Sequence, residues 1–472
     1  MNMKMRLSLT FLLAGMVLAQ AGKKSATVHG GDGISLPAPP PAKVAPVKEK
    51  FGEKTVTDPY RWLEDSKSPE TRAWIDSQMR YTEKYLSQVK NRPEIAKRLT
   101  ELLRIESFSI PAERNGNYFF TKRLAEENQS SIYLRKGLKG SDERLIDATK
   151  LSADQNTSVM IADISADASL LVYGVRDGGA DEQSVHVFDV TARHDLSDVL
   201  PRARYSGIDL SPDKKGIYYS KVEPAGTRVF FHPLGGEVSA DKLVFGEMYN
   251  YELLGPMQLI STEVTENGRY LLITVAHGVP PTRVDVYAQE LDEPDQKVRS
   301  IIHAMDNRFS VVNYEGDLYA LTDNEAPNYR VVKISIDDPH PTQWKTIVPE
   351  GKDVISSISI VGGKLFLSGL HDVVAQTRIF TLDGKQTGEI TYPAIGSATN
   401  VHGRAHQTTA FTASSPSTFR RRFIITMWRQ EKPTSSPNRR SRFRATTTKC
   451  GKFSTIRKMA RAFRCLSLRR KN

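Results

Sequence analysis

Cysteine is scarce in this chain of 472 residues. The two cysteines, Cys450 and Cys465, both lie near the end, so the first 411 residues contain none. Disulfides therefore do not hold the main fold together. The sequence contains no cluster of thiol and carboxylate ligands, and we predict neither a metal site nor a cofactor.

Acidic residues are nearly missing from residues 412–472, which we call the basic tail. This tail holds 18 of the 66 lysine and arginine residues but one of the 54 acidic residues, Glu431. The formal net charge of +12 therefore comes from the tail, and residues 1–411 are mildly acidic. The charges have no helical or strand period, so we predict a disordered, aberrant tail and no nucleic-acid partner. A tail that binds anionic surfaces is the alternative.

The chain also lacks a long hydrophobic run. The longest, residues 7–18, follows Lys4 and Arg6 and ends before Ala19-Gln20-Ala21. It is too short for a comfortable membrane span. Residues 1–21 are typical of a secretory signal peptide, so we predict a periplasmic or secreted protein without a stable membrane span; an uncleaved anchor is the alternative. The Pro-rich residues 22–47 predict a flexible linker.

A repeated unit dominates residues 108–411. A turn followed by a β-rich run occurs seven times at intervals of roughly 45–53 residues, a spacing typical of propeller blades. Six units are followed by a second alternating strand, and the seventh stops at Phe411. We predict a seven-bladed β-propeller with an incomplete last blade; a sandwich with coincidental spacing is the alternative. The units begin near Asn115, Ser165, Asp209, Thr265, Tyr314, Val361 and Ala405.

Residues 48–107 have a different character. Ser68-Pro69-Glu70 predicts the start of a helix that ends before Pro93. A second predicted helix has apolar residues on one side, and such a face must pack on another part of a protein. These apolar residues are Ile95, Leu99, Leu102 and Leu103.

The run Asp58-Pro59-Tyr60-Arg61-Trp62-Leu63-Glu64-Asp65, with Ala73-Trp74-Ile75 after it, resembles the N-terminal signature of the prolyl oligopeptidase family of serine peptidases. The resemblance covers roughly residues 48–411. It implies that the helical segment packs on an α/β-hydrolase domain, which family members complete after the propeller. It also implies cleavage of short peptides after proline by a serine, histidine and aspartate triad.

The nucleophile motif of that domain is missing from the sequence. A triad serine needs a sharp turn of the form G-x-S-x-G, and the nearest fragment, Gly396-Ser397-Ala398, lacks the second glycine. We therefore assign no catalytic residue and predict that this polypeptide alone is inactive. The hypothesis for the tail is a shifted reading frame or a truncation, which translation of the DNA in the other frames tests.

Only Tyr205 emerges as a candidate substrate-binding residue. The resemblance implies that an aromatic side chain here can face the substrate cavity, while ordinary strand burial is the alternative. His402 and His406 have the spacing of a metal pair, but Gly403 and the strand context argue against the helix that such a pair needs. Asp58 is better explained by a turn than by acid–base catalysis.

The sequence thus predicts the N-terminal and propeller part of a prolyl-oligopeptidase-like endopeptidase. By resemblance its partners are short proline-containing peptides, and its oligomeric state is unknown. One alternative is a non-catalytic propeller that binds peptides or proteins; the other is the basic-tail binder. Saturable peptide binding without turnover indicates the first, and binding that weakens steeply with salt indicates the second.

Overall fold

A computed structural model describes residues 27–249, 252–293, 297–392, 395–407, 409–416, 422–427 and 446–447. The predicted signal peptide and most of the basic tail lie outside these residues. The chain divides into two units, residues 1–104 and 105–472. None of the helices in the described ranges is long and apolar enough to cross a membrane.

The first unit contains two hairpins and two α-helices. Its elements are β1 (Thr27–His29), β2 (Ser35–Pro37), β3 (Val47–Phe51), β4 (Lys54–Asp58), α1 (Pro69–Leu86) and α2 (Arg92–Leu103). The Ser68 side chain caps α1 by accepting a hydrogen bond from the Thr71 N–H. The apolar face predicted for α2 is exposed within this unit, because Ile95 and Leu103 are 56% and 63% accessible.

The Pro-rich stretch makes specific contacts with α1 inside the first unit. Tyr81 Oη donates a hydrogen bond to the Pro37 carbonyl at 2.8 Å, and Gln78 Nε2 donates one to the Pro40 carbonyl. Trp62 Nε1 donates to the Lys43 carbonyl at 2.8 Å. Proline carbonyls remain free acceptors because proline lacks only the N–H. This part of the predicted flexible linker is therefore tied to α1 at two points and to Trp62, which precedes the helix, at a third.

The second unit consists of antiparallel sheets whose strands follow one another in chain order. Sheet 1 contains β5 (Ser107–Phe108), β6 (Ala112–Arg114), β7 (Asn117–Arg123), β8 (Ser131–Lys136) and β9 (Asp142–Ile146). Sheet 2 contains β10 (Ser158–Ile164), β11 (Leu170–Arg176), β12 (Gln183–Asp189) and β13 (His194–Ala203). Sheet 3 contains β14 (Tyr205–Leu210), β15 (Gly216–Glu223), β16 (Gly226–Pro233) and β17 (Lys242–Phe245). A short hairpin, β18 (Met248–Tyr249) and β19 (Glu252–Leu253), follows.

Four more sheets complete the unit. Sheet 4 contains β20 (Gln258–Val264), β21 (Tyr270–His277), β22 (Arg283–Glu290) and β23 (Arg299–Ile302). Sheet 5 contains β24 (Phe309–Tyr314), β25 (Asp317–Thr322), β26 (Arg330–Ser335) and β27 (Lys345–Val348). Sheet 6 contains β28 (Ile355–Val361), β29 (Lys364–His371), β30 (Val374–Phe380) and β31 (Gln386–Ile390). Sheet 7 contains β32 (Gly396–Ala398), β33 (Thr409–Pro416), β34 (Arg422–Met427) and β35 (Thr446–Thr447).

Buried side chains fill the space between successive sheets. Each of six apolar clusters combines residues from two neighbouring sheets, such as Leu272 and Val286 of sheet 4 with Phe309 and Leu318 of sheet 5. At the junction of the first and last sheets, the Tyr118 and Phe411 rings meet edge to face at 6.1 Å. A single antiparallel sheet cannot bury both faces, so stacking around an axis gives each sheet its core. The unit is an all-β propeller with few helices.

The structure corrects the predicted blade count. Six sheets, not the predicted seven, are four-stranded blades; sheet 1 is an irregular five-stranded sheet, because β5 and β6 both pair with β7. Ile110-Pro111 lies between β5 and β6. Proline has no N–H and restricts the residue before it, so the innermost strand is interrupted there.

The prediction that the last unit stops at Phe411 is also wrong. Strand β33 continues to Pro416 and pairs with β34 in the register Phe411 to Ile425. The sequence of β34 contains the β-branched run Ile424-Ile425-Thr426, which favours a strand. The predicted boundary at residue 411 rests on the change in charge there, and charge does not indicate where a strand ends.

Candidate functional site

The two loop faces of the propeller differ in chemistry. We call the face at which the innermost strand of each sheet begins the N-face, and the face at which it ends the C-face. The N-face carries most of the exposed large apolar side chains of the second unit, among them Leu253 (70% accessible), Met257 (63%) and Val279 (74%). The other exposed large apolar residues at the N-face, in its loops or at the strand ends next to them, are Leu124, Leu151, Val222, Met248, Val354, Leu370, Val373 and Ile395.

Such a concentration on one face is unusual for a surface that meets only water. Isolated exposed apolar residues are common, but a group of them marks a surface that contacts a partner. In the described part of the second unit, four exposed large apolar residues are not in this N-face group: Met160 and Leu259 on innermost strands, Val199 and Leu243 on outermost ones. The N-face is therefore the candidate docking surface.

The C-face is built from polar turns of one design. In sheets 2, 3 and 4 the innermost strand is followed by Ser165, Ser211 or Thr265, whose hydroxyl group closes the turn. Ser211 Oγ donates to Asp213 Oδ1 at 2.7 Å and accepts from the Gly216 N–H at 3.0 Å. Hydroxyl groups of this kind form hydrogen bonds with backbone N–H groups of the same turn. The repeat seen in the sequence is thus a turn that ends the innermost strand.

A carboxylate lies two positions before each of these hydroxyl residues, and two of the three carboxylates join one sheet to the next. Asp163 Oδ2 of sheet 2 accepts the Leu210 N–H of sheet 3 at 2.8 Å. Asp209 Oδ2 of sheet 3 accepts the Thr262 hydroxyl of sheet 4 at 2.7 Å. The third equivalent residue is Glu263 of sheet 4. These acidic side chains therefore gather at the C-face ends of the innermost strands.

Two arginines complete this cluster. Arg114 Nη2 of sheet 1 lies 3.9 Å from Asp163 Oδ1, and Arg404 Nε of sheet 7 lies 3.6 Å from Glu266 Oε2 of sheet 4. The pKa of Arg114 is lowered, first by burial and then by the neighbouring Arg404. Opposite sheets of the ring thus meet through these charges near its axis.

Burial controls the protonation of the carboxylates. It raises the pKa of Asp209 to about 7, with a smaller contribution from the charge of Asp163. Burial also raises the pKa of Asp163. The pKa of Glu263 is also raised, by desolvation and by the neighbouring charge of Glu266. Near pH 7, therefore, Asp209 is partly protonated.

Tyr205, the residue predicted to bind substrate, lies at the N-face end of β14. Its hydroxyl donates a hydrogen bond to the Pro201 carbonyl, and its ring packs edge to face on Tyr219 at 5.7 Å. Burial raises the pKa of the Tyr205 hydroxyl. Contact of Tyr205 with a peptide stays a prediction.

The remaining candidates from the sequence have structural partners. The His402 backbone N–H donates to the Phe411 carbonyl at 2.8 Å, and the His406 ring lies 5.3 Å from the Tyr314 ring. Asp58 accepts the Tyr60 N–H at 2.8 Å, as a turn residue does.

Glu252, Asp285 and His303 bring potential metal-ligand atoms within 4.8 Å of one another. Arg283 Nη2 already donates to Asp285 at 2.6 Å and to Glu252 at 2.9 Å. The guanidinium supplies the positive charge that these carboxylates need, so this group is an ion-pair network.

Known proteins identify the family. The family model described as "Prolyl oligopeptidase, N-terminal beta-propeller domain" matches residues 39–418. This chain belongs to the prolyl oligopeptidase family. The match includes residues 412–416, which continue β33 beyond the boundary predicted from charge.

Curated relatives of this prolyl oligopeptidase family member include two bacterial prolyl endopeptidases. That of Elizabethkingia meningoseptica is 29% identical over 399 residues, which cover 82% of this chain and 55% of the relative. That of Elizabethkingia miricola is 29% identical over 393 residues, covering 81% and 54%. The chain thus spans about half the length of the curated relatives it matches.

Solved structures have the same fold. A chain from a structural study of two prolyl endopeptidases superposes with a TM-score of 0.75 at 29% identity, over 83% of this chain and 58% of that one. Prolyl oligopeptidase B of Galerina marginata gives a TM-score of 0.69 at 20% identity, over 87% of this chain and 60% of that one.

The carboxylate cluster was missed in the sequence, although its signal was present there. Asp163-Ile164-Ser165, Asp209-Leu210-Ser211 and Glu263-Val264-Thr265 all place an acid, an apolar residue and a hydroxyl residue before a turn. The turns alone define the repeat in the sequence, and no local feature requires the acid. Its role depends on the neighbouring sheet.

Proposed function

We propose that this chain provides the N-terminal segment and propeller of a serine endopeptidase that cleaves short peptides after proline. The observation that carries the proposal is membership of the prolyl oligopeptidase family over residues 39–418. The propeller restricts the reaction to small peptides, and the Ser/His/Asp chemistry belongs to an α/β-hydrolase domain. Export through residues 1–21 and substrate contact by Tyr205 are parts of the same proposal.

The apolar N-face supports a hydrolase domain as the docking partner. A propeller that only bound water-soluble peptides would not need Leu253, Met257 and Val279 exposed together. Within the first unit, α2 likewise exposes Ile95 and Leu103, as a helix does that packs on a further domain.

The proposal includes inactivity of this 472-residue polypeptide by itself. A hydroxyl nucleophile without its elbow, base and oxyanion donors is not activated, and the sequence contains no G-x-S-x-G. We expect the purified chain not to hydrolyse a chromogenic peptide with proline before the scissile bond. Hydrolysis that a serine-directed inhibitor abolishes would contradict this part of the proposal.

Docking is tested by adding the separately purified hydrolase domain of a relative and measuring binding and restored hydrolysis. We expect Leu253→Gln with Met257→Gln to weaken the complex about tenfold or more, because apolar burial is lost. The matched control is Val199→Gln with Leu243→Gln, two outer-strand residues that are 42% and 39% accessible. Equal effects of both pairs would rule out the N-face as the docking surface. Saturable peptide binding without any restored hydrolysis would favour a non-catalytic binding propeller.

A further inference from the structure

The segment of residues 401–407, which we call the strap, leads into β33 of sheet 7. Its backbone leaves the sheet and returns to it, because the His402 N–H donates to the Phe411 carbonyl at 2.8 Å and the Phe411 N–H donates back at 2.7 Å. Val401 and Ala405 are buried, at 3% and 4% accessibility. The strap is therefore packed against other parts of the propeller.

The strap contacts three sheets other than its own. The Gly362 N–H of sheet 6 donates to the Arg404 carbonyl at 3.1 Å, and the Gly363 N–H donates to the Ala405 carbonyl at 2.8 Å. The Ala405 side chain joins the apolar cluster between sheets 5 and 6.

Its contact with sheet 4 is made by one residue, Glu266. The Ala405 N–H donates to both carboxylate oxygens of Glu266 at 3.0 Å each. Arg404 Nη2 donates to the Glu266 carbonyl at 3.4 Å, and Arg404 Nε lies 3.6 Å from Glu266 Oε2. Hydrogen bonds to a charged acceptor are the stronger ones in proteins. Glu266 thus holds the strap from across the ring.

Close packing fixes the path of the strap at Gly403. A Cβ atom at this position would lie 2.5 Å from Val361 Cγ1 and 2.8 Å from the Thr409 carbonyl oxygen. Only glycine permits this approach of the strap to sheet 6.

The Arg404 side chain places the strap at the ring axis. It is close enough to Arg114 of sheet 1 and Asp163 of sheet 2 to shift the pKa of each. Together with Glu266, the groups around Arg404 come from both sides of the ring.

We propose that the strap is a releasable lid over the C-face end of the central axis, and that Glu266 is its latch. Sheets 1 and 7 share no strand in the part of the chain that the structure describes. The strap therefore also fastens the last sheet to the far side of the ring. This proposal concerns the propeller alone and does not rest on the peptidase function.

The lid is tested on the full chain by hydrogen–deuterium exchange with mass spectrometry. Glu266→Gln keeps the shape of the side chain but removes the charge and one carboxylate oxygen. We expect the amides of residues 401–407 to exchange about tenfold or more faster in this variant, because a charge-assisted hydrogen bond is lost. Glu315→Gln, at the corresponding turn of sheet 5, is the matched control and should exchange like the original protein.

A second variant separates the two contacts of the latch. Arg404→Gln leaves the Ala405 N–H bonded to Glu266, so we expect a smaller increase in exchange than for Glu266→Gln. The proposal fails if strap exchange in Glu266→Gln equals that of the original protein, or if Glu315→Gln accelerates it equally. Faster exchange throughout all sheets would show general destabilisation and would also overturn the latch.

Covering of the axis is measured separately by thiol labelling. A Glu263→Cys reporter, with Cys450→Ser and Cys465→Ser, is treated with one small and one bulky maleimide. If the strap is a lid, Glu266→Gln accelerates reaction with the bulky reagent about tenfold and changes the small-reagent rate little. Unchanged bulky-reagent labelling would contradict the lid.

Discussion

Asp163 accepts a hydrogen bond from the Leu210 N–H at 2.8 Å across the boundary between sheets 2 and 3. The same carboxylate accepts the Ile164 N–H at 2.7 Å, so one side chain satisfies backbone donors of two sheets. Leu210 is buried, and its N–H has no easy access to water. This contact is the simplest example of how the propeller joins neighbouring sheets without a shared strand.

We expect Asp163→Ala to lower the free energy of unfolding by about 1–3 kcal/mol, because a buried N–H loses its acceptor. Asp163→Asn keeps an acceptor oxygen and should lose less. Urea denaturation of both variants measures the difference. An alanine variant as stable as the asparagine variant would mean that the hydrogen bond to Leu210 contributes nothing.

Asp209 should make the stability of the propeller depend on pH. Its pKa is raised from 3.8 to about 7, so between these values the folded state binds a proton that the unfolded state has released. The stabilisation from this proton is therefore complete at low pH and is lost as the pH rises through about 7.

We expect Asp209→Asn to remove this contribution, so that its stability relative to the original protein increases between pH 5 and pH 8. Asp181→Asn, at a side chain that is 72% accessible and pairs with Arg204, is the control and should leave the pH profile unchanged. Unfolding measured at several pH values decides the matter. Parallel profiles of the Asp209 variant and the original protein would contradict the assignment.

The His232 ring lies between two buried carboxylates, and we expect it to contribute strongly to the free energy of unfolding. Its Nδ1 lies 2.7 Å from Oδ1 of Asp241, the residue before β17, and its Nε2 lies 3.3 Å from Asp198 Oδ1 of sheet 2. Both contacts are hydrogen bonds only when both ring nitrogens carry a proton.

We expect His232→Ala to cost about 3–5 kcal/mol, because two buried carboxylates lose the group between them. His371→Ala, at a side chain that is 58% accessible, should leave the stability nearly unchanged. Thermal unfolding compares the two. Similar losses at both positions would refute a special role for His232.

Gly207 marks a close approach between sheets 3 and 4. A Cβ atom there would lie 2.5 Å from the Thr262 backbone nitrogen and 2.3 Å from its hydroxyl oxygen. We expect Gly207→Ala to destabilise the fold by about 1–3 kcal/mol through overpacking. Gly351→Ala is the matched control, since a Cβ at Gly351 meets no atom within 4 Å. Chemical denaturation should separate the two alanine variants clearly.

Much of the propeller is already determined by the sequence. The turn at each repeat and the alternating residues after it place a second strand in every sheet, because turn residues and strand periodicity act over a few residues. Ser165, Ser211 and Thr265 close their turns with neighbours in the chain. The family resemblance likewise rests on a contiguous run of residues around Trp62.

Only the tertiary structure determines which residues of different sheets contact one another. The partners of Asp163 and Asp209 lie 47 and 53 residues away in the next sheet, and the partner of Ala405 lies 139 residues away across the ring. No local pattern specifies such contacts, because they depend on how whole sheets stack. For the same reason the sequence alone does not predict the contacts of the strap, the raised pKa of Asp209 or the apolar N-face. All three depend on the arrangement of the blades around one axis.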